Sequence, residues 1–122
     1  MPVFLLPNSI PVDAETSRIL SLPVATGSIY AALQARLRYL PPQRNITLRP
    51  GAVLPVNLQD HEHLALLAQI VGQEEMDECG MCSEEDGIFE TCVTVWVAHE
   101  LSLLCVSCAN CYFERPDLNC SL

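Results

Sequence analysis

The chain has 122 residues, half of them apolar, and a net charge of −9 from fifteen acids against six arginines and no lysine. That is one domain's worth of chain, able to bury roughly two-thirds of its unfolded surface. The acid excess excludes a general binder of phosphate backbones, which needs clustered cations, and apolar runs such as Leu64 to Ala68 fall far short of the roughly 20 residues of a membrane span.

The start, Met1 to Pro7, has no basic stretch and a proline-broken apolar run, so it is not expected to act as a secretory signal. The chain reads as soluble and intracellular, cytoplasmic or nuclear. Eight of the nine prolines lie before residue 56 and cut that region into short elements. Asp13 is expected to cap a short helix that stops before Pro23. Ser28 is expected to cap a second, with Ile29, Leu33, Leu37 and Leu40 on its apolar face, Gln34, Arg36 and Arg38 on the other, and Pro41-Pro42 at its end. Asn45 to Leu58 alternates around Pro50-Gly51, which predicts two extended pieces and a turn. Asp60 is expected to cap a third helix. Leu64, Leu66, Leu67, Ala68, Ile70 and Val71 make that helix apolar on most sides, which places it at the centre of the fold, and Gly72 reads as a left-handed stop.

Beyond Gly72 the pattern changes. Residues 1–72 carry a net charge of +1, whereas residues 73–122 set Arg115 against eleven acids and hold all seven cysteines. Phe89 to Ala98 reads as a strand with Thr91, Val93, Val95 and Val97 on one side, and Leu101 to Val106 as its hairpin partner across His99-Glu100. No internal repeat is read from the chain.

The strongest motif is Cys79-Gly80-Met81-Cys82, then 22 residues, then Cys105-Val106-Ser107-Cys108. Each pair lets a tight turn aim two thiolates at one point, and a hairpin between the pairs closes the tetrahedron of a structural zinc site. Zinc at Cys79, Cys82, Cys105 and Cys108 is therefore the expected centre. Cys111, Cys120 and His99 are candidates for a substituted ligand or a second site, and Cys92 reads as a buried thiol acting as a small hydrophobe. Paired disulfides suit a secreted domain, and a redox dithiol needs cations beside it where this half has acids. Cys105, Cys108 and Cys111 also open like a ferredoxin run, which makes an iron–sulfur centre an alternative, although the fourth cysteine three residues on is absent.

Catalysis finds little support. The histidines are 61, 63 and 99, with His61 and His63 on different faces of one helix turn, and no nucleophile elbow, phosphate loop, dinucleotide fingerprint or His-Glu-x-x-His occurs. Eight acids between Glu74 and Glu90 surround the first cysteine pair, a footprint for a partner with a basic surface. Ser83-Glu84-Glu85-Asp86 is similar to an acidophilic phosphorylation site.

A short, acidic, lysine-free chain with paired CxxC motifs resembles, over residues 79–111, the small zinc-bearing regulatory proteins of DNA viruses: the papillomavirus early transforming protein and the adenovirus early transactivator. The Leu-x-Cys-x-Glu motif is absent and the papillomavirus protein separates its pairs further, so no site carries over. The expected fold is α+β, with a helical part over 1–72 packed on a zinc-ribbon-like hairpin in 73–122. The expected function is that of a non-enzymatic accessory or regulatory protein that binds another protein, and the resemblance implies a viral regulatory or host-interaction factor. A transcription-type zinc ribbon touching nucleic acid within a larger assembly is the alternative, and it would have to use Arg36, Arg38, Arg44 and Arg49.

Overall fold

In the computed structural model, which describes residues 4–23, 29–95 and 108–114, the chain opens with a short reversal in which Leu5 bridges Pro11. Helix α1 (Ala14–Leu20) follows. Asp13 caps it as expected, its carboxylate accepting the Thr16 N–H at 2.8 Å, which satisfies one of the donors a helix start leaves open. Thr16 is buried, and its hydroxyl oxygen accepts the Ile46 N–H at 2.9 Å. That bond ties α1 to the extended segment after the second helix.

Helix α2 (Ile29–Arg38) buries Leu33 and Leu37, and Leu40 packs on the same core. Ser28 and the Ile29 side chain lie outside the described residues. Gln34 departs from the expected polar face. It is fully buried, and its Nε2 donates to the Asp60 carbonyl at 3.1 Å. Because α2 packs across the start of α3, the covered stripe is wider than the apolar stripe, and the amide is satisfied where it enters.

Around Pro50-Gly51 the expected turn forms, with Gly51 at φ +87° and the Ala52 N–H on the Arg49 carbonyl at 2.9 Å. Its strand partner comes from the other half of the chain. Leu48 bridges Phe89, the Arg49 N–H donates to Ile88 at 2.9 Å, and the Glu90 N–H donates to Thr47 at 3.1 Å.

Helix α3 (Asp60–Val71) is buried at every residue from His63 to Val71, the central position its apolar sides predict. Its cap sits one residue earlier than expected: Gln59 is the N-cap, closed by a reciprocal bond in which Glu62 accepts the Gln59 N–H at 2.8 Å. The stop is also different. Gly72 is extended, at φ −79°, rather than left-handed. A Cβ there would overlap the Thr94 carbonyl and lie 2.7 Å from Val93 Cγ1, so glycine is required for close approach of the next strand. Arg44 takes two of the carbonyls at the helix end, its Nη1 donating to Gln69 at 2.6 Å and its Nη2 to Gly72 at 2.8 Å, while the Gln43 N–H donates to the Ile70 carbonyl at 2.8 Å.

Strand β1 (Gln73–Glu74) leaves α3 directly. After the one-turn helix α4 (Gly80–Ser83), strand β2 (Val93–Thr94) pairs with β1 antiparallel, with Gln73 opposite Thr94. The Leu101 to Val106 arm of the expected hairpin lies outside the described residues. Cys92, Val93, Thr94 and Val95 are all buried, so the expected alternation is absent because β2 is covered on both sides. Helix α5 (Ala109–Glu114) packs on α3, and Phe89 meets Phe113 edge to face at 5.8 Å and 75°. One core therefore draws Ile19, Leu37, Leu64, Phe89 and Tyr112 from both halves. The architecture is mixed: helices with a small two-stranded antiparallel sheet. Among the described residues, no helix is long and apolar enough to cross a membrane.

Candidate metal centre

Two helix starts converge. Cys79 is the N-cap of α4, in extended conformation, and Cys108 immediately precedes α5. Each first cysteine accepts an N–H from the cysteine three residues on: Cys79 from Cys82, and Cys108 from Cys111 at 3.5 Å. A tight turn of this kind aims two sulfurs at one point and softens the charge on the first.

The sulfurs of Cys79, Cys82, Cys92 and Cys108 all lie within 4.8 Å of one another, and all four residues are buried. Cys79 and Cys108 are 3.7 Å apart, and Cys82 and Cys108 3.8 Å. These separations are far beyond the roughly 2.05 Å of a disulfide. They match the edge, about 3.8 Å, of a sulfur tetrahedron around an ion at metal–sulfur distances of about 2.3 Å. The group can hold a metal ion.

Crowded thiols set their acidities against one another. Cys82 is lowered to about 2, first by the Cys108 thiol, then by that of Cys92, with the Asn110 amide helping against burial. Cys108 is pushed strongly upward by the same contact with Cys82, then by Cys92 and burial. Burial raises Cys79. At Cys92 a lowering contact with Cys108 is outweighed by Cys82 and burial, which leaves it at about 12. One sulfur thus takes a charge at its neighbours' expense, and a divalent cation is what lets all four carry it together.

Polar groups brace the centre. Asn110 Nδ2 lies 3.4 Å from Cys82 Sγ, and Arg49 Nη2 donates to the Cys82 carbonyl at 3.2 Å, bringing a cation from the Pro50-Gly51 turn to an anionic cluster. Around the centre Glu74, Asp77, Glu78, Glu84, Glu85, Asp86 and Glu90 are exposed. Ser83 is exposed too, its hydroxyl donating to the Gly80 carbonyl at 3.1 Å.

Of the expected ligands, Cys79, Cys82 and Cys108 come together, while Cys105, His99 and Cys120 lie outside the described residues. Cys111 is half-buried, with its sulfur 3.7 Å from that of Cys79. Pattern reading left Cys92 out of the ligand set; it is buried as expected, and its sulfur also lies within the group. The misleading signal was overlap: Cys105, Cys108 and Cys111 contain two CxxC pairs, and the helix starting at Ala109 marks the second as the one built like Cys79–Cys82. Of the two histidines expected on different faces of the first turn of α3, His63 is buried.

These features define a class: a small protein of helices and a two-stranded antiparallel sheet, with a buried cluster of four cysteines that can hold a metal ion. Residues 65–122, from within α3 to the last residue and including every cysteine, match the model of a family described as "Protein of unknown function (DUF3716)". No curated protein and no solved structure matches the chain.

Proposed function

We propose that the protein is a non-enzymatic accessory factor, held in shape by zinc at Cys79, Cys82, Cys92 and Cys108, that binds another protein through the acidic surface around α4. Four buried sulfurs within 4.8 Å of one another, with Cys79–Cys108 and Cys82–Cys108 at the tetrahedral edge length, carry this reading. Thiolates in a tetrahedral set favour zinc, and four protein ligands leave no open position for substrate, the mark of a structural rather than a catalytic site. Seven exposed acids around the centre, with Arg49 the cation bonded into it, give an electrostatic footprint suited to a basic partner. The same field repels a phosphate backbone.

Two measurements test it together. Elemental analysis of the purified full chain is expected to show zinc. Capture from the native cell is expected to return a protein that is lost at high salt and after Glu84→Gln/Glu85→Gln/Asp86→Asn. A metal-free folded protein, or a partner indifferent to both salt and neutralisation, overturns the reading.

A further inference from the structure

Residues 79–92 and 108–120 carry cysteine spacings that differ by a single residue: Cys79-x2-Cys82-x9-Cys92 and Cys108-x2-Cys111-x8-Cys120. This internal repeat escapes a search for similar side chains because only the cysteines recur. The structure gives it substance. In both copies the first cysteine stands at a helix start and accepts the N–H of the second, and the two first cysteines touch, with sulfurs 3.7 Å apart.

Cys79 and Cys108 share the four-sulfur group with Cys82 and Cys92. Beside that group lies Cys111, whose sulfur is 3.7 Å from that of Cys79, the same edge length as inside it, and whose N–H donates to Cys108 Sγ at 3.5 Å. A tetrahedral ion accepts four sulfurs and so does not take up the fifth, which also lies 3.8 Å from Met81 Sδ. A second ion sharing the Cys79–Cys108 edge uses it.

We infer that the protein binds two zinc ions in one six-thiolate cluster, with Cys79 and Cys108 bridging. Cys82 and Cys92 complete the first ion. Cys111 and Cys120 complete the second, Cys120 being assigned by the repeat alone, since it lies outside the described residues. This rests on the zinc reading above and extends it. Charge favours the arrangement. One ion among four thiolates and two ions among six both leave a net of −2, so the second ion fixes two more thiolates without adding buried charge. Two zinc ions in six cysteines also hold together certain DNA-binding modules. Here, however, α4 is flanked by Asp77, Glu78, Glu84, Glu85 and Asp86, which oppose a phosphate backbone, so the cluster acts as a staple of the fold.

Native mass spectrometry of the zinc-loaded full chain reads the stoichiometry without any substitution. Two ions per chain are expected. One ion overturns the shared cluster while leaving the zinc reading standing, and none overturns both. In cadmium-substituted protein, two ¹¹³Cd resonances coupled through sulfur are expected, and two uncoupled resonances refute the bridging. Cys111→Ser and Cys120→Ser should each fall from two ions to one while Cys105→Ser keeps two. Loss of an ion in Cys105→Ser, with two retained in Cys120→Ser, refutes the assignment of Cys120.

Discussion

Asn110 bonds both backbone groups of Phe89: its Oδ1 accepts the Phe89 N–H at 2.7 Å, and its Nδ2 donates to the Phe89 carbonyl at 3.0 Å. One side chain of α5 thus imitates a neighbouring strand for a segment that runs past it. The same Nδ2 lies 3.4 Å from Cys82 Sγ, so core, cysteine cluster and the 87–91 segment meet in one amide. Gly87 makes room for it; at φ +95°, a Cβ there would lie 2.8 Å from the Asn110 amide.

Asn110→Ala leaves a buried N–H and a buried carbonyl of Phe89 without partners. At about 1–3 kcal/mol for each unsatisfied buried group, the loss should be on the order of 3 kcal/mol. Denaturant unfolding at saturating zinc measures it. A loss below about 1 kcal/mol would show that water replaces the amide.

Two glycines separate strain from crowding. Gly72→Ala pushes a methyl into the Thr94 carbonyl and Val93, both held by the β1–β2 pairing, so overpacking of about 1–3 kcal/mol is expected. Gly51→Ala meets nothing within 4 Å and suffers only its φ of +87°, about 1–2 kcal/mol. Thermal melts should rank Gly72→Ala as the more damaging, and the reverse order would mean that the sheet yields.

Why some of this was legible in the sequence and some was not follows from range. Asp13 before α1 and the all-round apolar α3 are local patterns, and both formed where expected. Gln34, Gly72 and Cys92 depend on what lies across from them: the start of α3, the β2 carbonyls and two helix starts. No spacing rule along the chain contains those distances. CxxC spacing did show that a cysteine centre exists, but with three CxxC pairs available it could not choose the ligands.

Arg44 closes the end of α3 with a planar fork, one nitrogen on Gln69 and one on Gly72. Lysine keeps the charge but cannot span two carbonyls in fixed geometry. Arg44→Lys should therefore recover less than half of the stability lost in Arg44→Ala, itself expected at about 1.5–3 kcal/mol for bonds from a charged donor. Full recovery by lysine would show that charge at the helix end, not the fork, is what counts.

His63 gives the fold a pH dependence with a definite sign. Its ring is bonded to the Ile19 carbonyl, and its Nε2 is buried with no partner among the described residues. Burial holds the imidazole below its ordinary value of 6.5, with the Ile19 bond opposing, Arg38 adding to the lowering and Asp60 opposing it. In the unfolded chain the ring takes up a proton as pH falls through about 6.5, while the native state resists it. The unfolded state then binds more protons, so stability is level above about pH 6.5 and declines below it, by at most about 1.4 kcal/mol per pH unit from this group. Acid also strips metal from thiolates, which makes the raw decline ambiguous. The difference between the parent chain and His63→Leu, each at saturating zinc, cancels that shared effect. The parent should show the steeper decline between about pH 6.5 and pH 5. Parallel curves would mean that the ring finds water for its Nε2 and titrates in the folded protein as it does in the unfolded chain.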